Sequence, residues 1–300
     1  MSYERLSHMK NFLLIGLVIL LYTLQSLLCK KYSDHYPGKA ETASPVFTVI
    51  SGLIVFLISV GMTGFSFRAS ALTVALGILN ALALFGYNAF LIRASQTGSY
   101  SILMVFSIAG AILIPSTVAL IGFGDPISVG KAVGIFLVLV AVYLVSYRRE
   151  NARMRMDFLI SCGALALCNG AYGSLLDVQQ RLCGVAEKEE MVAVTYGMAA
   201  LLGFVSMAAR EKKRSVKCFR QTKASLAYLL ICSLTVAFAI HTMVYILPHV
   251  NVTLLYTMDN AGVFLLSVIC SGLFFKDRLS LLNVGGCVLM CGALVMVAAL

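Results

Sequence analysis

A 300-residue chain that is 60% hydrophobic and 12% charged, with a mean hydropathy of +0.93, excludes a water-soluble globule, in which about a quarter of residues are charged. The formal charge of +10 does not point to nucleic acid, because Lys and Arg collect in the connectors between apolar runs, where the positive-inside effect places them. Nine cysteines lie mostly inside those runs, with no C-x-x-C pair and no Cys/His spacing of a zinc site, so no metal or cofactor is expected.

Ten apolar runs predict ten transmembrane helices, over 12–29, 45–65, 71–92, 99–122, 128–147, 157–177, 191–208, 225–247, 252–275 and 281–300. Runs of about 18–25 residues suffice to cross a hydrocarbon core of about 30 Å. The first follows Arg5 and Lys10, is long for a signal-peptide core and has no small-x-small site behind it, so it reads as a retained helix. Pro45 opens the second span, where a missing N–H costs nothing. Arg93 ends the third and snorkels, before the connector Ala94–Ser99. Pro115 interrupts the fourth, as a hinge or as a plain kink. Ser128 and Ser280 suit the N-caps of the fifth and tenth helices. Asp177, Gln179, Gln180 and Arg181 fall at a membrane boundary and read as solvated, while Gly163, Gly170, Gly173, Gly197 and Gly203 fit close helix packing. The basic cluster from Arg210 to Lys223 is a topology signal, with contact to anionic lipid as the other reading. Asn251-Val252-Thr253 matches a glycosylation sequon at a helix start.

The chain repeats itself at an offset of 152 positions. Phe123, Asp125, Ser128 and Gly134 meet Phe275, Asp277, Ser280 and Gly286; upstream, Leu103, Ala109-Gly110 and Leu113 meet Leu255, Ala261-Gly262 and Leu265. The offset divides the chain into 1–150 and 151–300, five spans each. An odd number of spans makes the second copy enter the membrane from the opposite side, giving two inverted five-helix repeats in an all-α membrane protein. The symmetry breaks at Ser107-Ile108, which become Asp259-Asn260 in the second copy.

The turn Gly124-Asp125-Pro126-Ile127-Ser128 with Gly134, and Lys276-Asp277-Arg278-Leu279-Ser280 with Gly286, resembles the drug/metabolite transporter superfamily, specifically its EamA-like ten-helix members, over nearly the whole chain. Those members usually carry Glu in this turn; Asp keeps the charge and the capping role. The resemblance implies export or import of small metabolites or drugs by alternating access, with a cavity between the repeats, in the cell membrane. It implies cytoplasmic termini, whereas the basic connectors, with Lys30, Lys31, Arg148, Arg149, Arg153, Arg155 and the Arg210–Lys223 cluster, place both termini away from the cytoplasm. The span 12–29 lacks the carboxylate that small multidrug members use for proton-coupled exchange of cations.

Asp259 is the leading candidate site residue. A carboxylate at the centre of a membrane helix costs about 2.5–3.5 kcal/mol on insertion scales, so it faces a cavity or a partner. Asn260 adjoins it, Tyr256 shares its face at i−3, and Gly262 leaves room for close approach. Substrate or proton binding and a hydrogen-bonded structural Asp are the two readings. His241 with Tyr245 one turn onward, Asn80 and Asn88 with Tyr87, Asn169 with Tyr172, and Gln25 are further candidates, each also readable as interhelical hydrogen bonding.

The leading expectation is a secondary transporter of a small polar or amphipathic metabolite or drug, working with the lipid bilayer and with a proton or counter-ion as coupling partner. A flippase for a lipid-linked headgroup on the same fold is the alternative. Four scattered histidines give no catalytic cluster, so an enzyme is not expected, and a receptor or scaffold is the remaining class.

Overall fold

Long runs of Leu, Ile, Val, Ala and Phe leave the backbone one economical way to satisfy its N–H and C=O groups in lipid, an unbroken helix. The computed structural model describes residues 2–38, 40–124, 128–146, 156–210, 221–246, 249–250, 252–275 and 280–299. Among them it has ten α-helices, one short 3-10 turn (Val185–Glu187) and no strand. The helices are α1 (Ser2–His35), α2 (Ala40–Met62), α3 (Ala71–Thr97), α4 (Tyr100–Phe123), α5 (Val129–Ser146), α6 (Met156–Cys183), α7 (Lys188–Arg210), α8 (Lys223–Ile246), α9 (Val252–Phe275) and α10 (Leu281–Ala299). Eight are long and apolar enough to cross a membrane; α5 and α10 carry shorter apolar stretches, Ala132–Val145 and Leu281–Met296. This is the fold of a multi-pass helical membrane protein, and each predicted run has its helix.

Several helices run past their apolar stretch. α1 continues through Lys30–His35, where Lys30 Nζ pairs with Asp34 Oδ1 at 3.0 Å one turn on. α6 continues to Cys183, with the Arg181–Asp177 pair at 2.9 Å. α2 begins at Ala40, so Pro45 lies inside it and does not open it. The polar residues ahead of Pro45 add a turn, and Glu41 suits the positive end of the helix dipole.

Capping is local and specific. The Ser280 hydroxyl accepts from Asn283 N (3.2 Å), while Asn283 Oδ1 accepts from Ser280 N (3.0 Å). The Asn283 amide also donates to Leu144 O (3.2 Å) and Val145 O (2.8 Å), so the start of α10 satisfies orphan carbonyls at the end of α5. Ser128 O accepts the first helical bond of α5 from Ala132 N (3.0 Å). α4 ends at Gly124 in the left-handed region (φ 66°), which glycine adopts without steric cost. Asp125, Asp277, Arg148, Arg149, Arg153, Arg155, residues 211–220 and Asn251 lie outside the described residues.

The most extensive packing joins α2 to α7, α5 to α10, α3 to α6 and α1 to α8. α4 against α6, α1 against α9, α3 against α7 and α2 against α8 complete the bundle. Glycine sets the closest of these approaches: a Cβ on Gly110 of α4 would lie 2.0 Å from Ala166 O of α6, and one on Gly170 would lie 2.3 Å from Gly110 O. Gly197 and Gly203 likewise meet Phe56 and Val49 of α2. Gly163 departs from the expected packing role, with no neighbour within 4 Å of its Cβ position. Leu103, Leu165, Phe264 and Met290 are fully buried, while Leu13, Phe136, Leu167 and Phe238 stay exposed, an apolar exterior suited to lipid contact.

Candidate functional site

A cavity of about 420 Å³ lies among the helices, lined from α1 through α10 by aromatic, aliphatic and polar side chains. One end is plugged. The Ser26 and Tyr100 hydroxyls meet at 2.5 Å across α1 and α4, and the Tyr100 ring lies 5.1 Å from that of Phe275. Lys30 and Lys31 stand 5.8 and 5.2 Å from the Phe275 centroid, and Lys30 donates to Ser95 O. The ends of α1, α3 and α9 and the start of α4 therefore meet beneath the cavity. At the opposite end, Leu120 of α4, Asp177, Gln180 and Arg181 of α6 and Lys188 of α7 form the mouth.

Seven of the sequence candidates line this cavity: Asp259, Asn260, Tyr87, Asn88, Asn169, Tyr172 and Gln25. Asp259 is buried, and its Oδ1 has no hydrogen-bond partner among the described residues. Asn88 Nδ2 donates to Thr48 Oγ1 (3.3 Å), and Asn169 Nδ2 donates to Ser107 O (2.9 Å) and Ser107 Oγ (3.0 Å). Gln25 O accepts from the Cys232 thiol at 3.4 Å. Pro115 lines the wall within an uninterrupted α4. The side chain of Tyr256 lies outside the described residues. The positions where the repeat breaks, Ser107-Ile108 and Asp259-Asn260, all face this one cavity.

The other candidates lie elsewhere. Asn80 is fully buried between α3 and α7, with Nδ2 3.5 Å from Thr195 Oγ1 and its Oδ1 unpaired among the described residues. Tyr245 is half exposed, accepts from Lys10 Nζ (3.0 Å) and lies 5.5 Å from the His249 ring. His241 is buried off the cavity, with Nε2 3.3 Å from Ser59 Oγ and Nδ1 2.8 Å from Glu189 Oε2. Ser59, His241 and Glu189 stand in the order of a nucleophile, base and orienting acid, although His241 Nδ1 and Glu189 Oε2 have no hydrogen-bond partner among the described residues. Ser59, however, is fully buried, and its hydroxyl donates to Val55 O (2.9 Å), so no substrate reaches it. The three side chains tie α2, α7 and α8 together.

Two residues that the sequence reading passed over complete the picture. Lys188, only 4% exposed, lines the mouth, and its Nζ has no hydrogen-bond partner among the described residues. Glu187, in the connector before α7, takes three donors on Oε2: Thr73 Oγ1 (2.5 Å), Ser70 Oγ (2.7 Å) and Ser70 N (3.0 Å). Those donors, Thr73 first, hold its carboxyl below the usual value. Asp177, Gln180 and Arg181 belong to the cavity wall, with Arg181 still exposed, whereas Gln179 departs from the solvated boundary expected there: it is fully buried and donates to Thr73 Oγ1 at 3.4 Å. Among the described residues, no three His, Cys, Asp or Glu side chains converge as metal ligands.

Fold and cavity define a multi-pass helical membrane protein whose chamber sets a few polar groups in a mainly apolar wall. No family model matches the chain, and no curated protein matches it. Solved structures match in fold: one crystal structure superposes with a TM-score of 0.64, covering 97% of this chain and 98% of that one, at 14% sequence identity. At that identity the likeness is one of fold alone.

Proposed function

We propose that the protein is a secondary transporter of a small polar or amphipathic solute in the cell membrane, an EamA-like member of the drug/metabolite transporter superfamily. It works by alternating access between two inverted five-helix repeats, 1–150 and 151–300. The observation that carries this reading is the cavity, which holds the buried Asp259, whose Oδ1 has no hydrogen-bond partner among the described residues, above the Ser26–Tyr100 contact. A chamber of this size takes a small molecule, and polar groups set in an apolar wall are what orient one.

The packing supports the inverted repeat. Exchanging each helix for the one five places along turns α3 on α6 into α8 on α1, α4 on α6 into α9 on α1, and α3 on α7 into α8 on α2. The pairs α2–α7 and α5–α10 map onto themselves. A two-fold axis between the halves requires this pattern, and exchange of the two halves' conformations then opens the cavity to the other side. In that exchange the Ser26–Tyr100 contact parts and the mouth closes.

Purified protein in liposomes, assayed for uptake across a panel of labelled metabolites, tests the proposal. Saturable flux of at least one solute, lost in Asp259→Asn with the protein still folded in the bilayer, is the expected result. Flux no greater than in protein-free vesicles across the panel would reject it.

A further inference from the structure

We infer that the cavity takes a dipolar solute, with its anionic group on Lys188 at the mouth and its cationic group on Asp259 further in. The inference rests on reading this cavity as the substrate site. Four charged side chains line it: Asp177, Arg181, Lys188 and Asp259. Arg181 and Asp177 close on each other at 2.9 Å and are both partly exposed. Asp177 also attracts Lys188 electrostatically but makes no hydrogen bond to it, and the Lys188 ammonium and the Asp259 carboxylate are each more than nine-tenths buried (Lys188 4%, Asp259 9%). Lys188 Nζ and Asp259 Oδ1 have no hydrogen-bond partner among the described residues. Burying a charged group without a hydrogen-bond partner is costly unless something complements it. A solute of one sign would satisfy one of these groups and leave the other; a solute carrying both signs satisfies the two together and adds no net charge to a low-dielectric chamber.

Position supports the same orientation. Lys188 is the first residue of α7, at the mouth, whereas Asp259 lies about 10 Å along α9 from its start. Val192 and Tyr196 follow Lys188 by one and two turns of α7 and also face the cavity, so the strip below the ammonium is apolar and aromatic. Val263 stands one turn beyond Asp259 on the same wall. A hydrocarbon spacer between the two charges of the solute fits that lining. The class is an amine bearing a carboxylate or phosphate, whether a free metabolite or a zwitterionic lipid headgroup.

The test is binding to the purified full-length protein in detergent, read as ligand-induced thermal stabilisation. The probes are linear ω-amino acids of three to eight carbons and phosphoethanolamine, compared with hexanoate and hexylamine. At least one dipolar probe is expected to bind about tenfold more tightly than either single-sign analogue, and Lys188→Gln and Asp259→Asn should each remove that advantage. Lys188→Arg and Asp259→Glu, which keep the charges, should restore much of it; this separates loss of the site from loss of the fold. Competition against the bound probe in nanodiscs with and without phosphatidylethanolamine distinguishes the sources, since displacement only by that lipid marks a headgroup. Equal binding of single-sign probes, no binding across the panel, or dipolar binding indifferent to both neutralising variants would overturn the inference. Flux of an uncharged solute that is undiminished in Lys188→Gln would overturn it while leaving transport standing. Dipolar binding without flux would do the reverse.

Discussion

His241 Nδ1 of α8 and Glu189 Oε2 of α7 lie 2.8 Å apart, a close approach without hydrogen-bond geometry, and the other ring nitrogen, Nε2, lies 3.3 Å from Ser59 Oγ of α2. One side chain thus joins three helices near the ends of α2 and α8 and the start of α7. Removing either partner loses this close approach between helices, and His241→Gln also loses the Ser59 hydrogen bond; each loss is worth about 1 kcal/mol. His241→Gln and Glu189→Gln should each lower the unfolding temperature in detergent. The double variant should lose less than the sum of the two, because each single change already breaks the shared contact. Strict additivity would mean that the contact contributes nothing.

Reading the Ser26, Tyr100 and Phe275 cluster as the closed end of the cavity makes a prediction about access. Ser116 lines the wall toward the mouth, while Ser26, Tyr100 and Phe275 block the far end. A single cysteine at Ser116, on a background with the native cysteines replaced, should react with an impermeant thiol reagent from one face of a proteoliposome. Adding Tyr100→Ala removes both the 2.5 Å hydroxyl contact and the ring, and labelling should then proceed from both faces. Labelling from one face only in the double variant would show that Tyr100 is not the barrier.

Much of the fold was legible because lipid imposes a simple rule: an apolar run must become a helix. The ends were less legible. Apolar runs mark the part of a helix in hydrocarbon, whereas Lys30–His35 and Gln179–Cys183 continue the helix through polar residues held by i,i+4 pairs and neighbouring helices. Asp259 stood out because a carboxylate inside an apolar run needs a reason. The partners of His241 and Asn80 did not, because a membrane helix is apolar on every face and its sequence pattern does not say which side meets the bundle. Lys188 was hidden for a related reason. It precedes the apolar run of α7 and reads as a connector charge, although the helix begins with it.

Gly110 tests how tightly α4 and α6 must approach. A Cβ there would lie 2.0 Å from the Ala166 carbonyl oxygen, and backbone cannot yield as a flexible side chain can. Gly110→Ala should therefore destabilise the protein by about 1–3 kcal/mol or more, although alanine is the better helix former. Gly163→Ala, where nothing lies within 4 Å, should be neutral or mildly stabilising. Thermal unfolding of the two variants side by side gives the comparison, and equal behaviour would mean that the helices are free to separate at Gly110.

Glu187 links the connector before α7 to the start of α3, and its three donors make that link pH-dependent. Its carboxyl is held below the ordinary value of 4.5 by Thr73 Oγ1 and by the backbone and side chain of Ser70. A carboxylate with a lowered folded value contributes stability that is fully present above the unfolded value. That contribution fades as the pH falls from about 4.5 through the depressed folded value. The unfolding temperature of the native protein should accordingly drop across this acidic window. In Glu187→Gln the start of α3 loses the charge that draws three donors to one oxygen, so this part of the drop should disappear, and stability near neutral pH should fall. Parallel pH profiles for the two proteins below 4.5 would show that the Glu187 carboxylate does not hold the connector to α3.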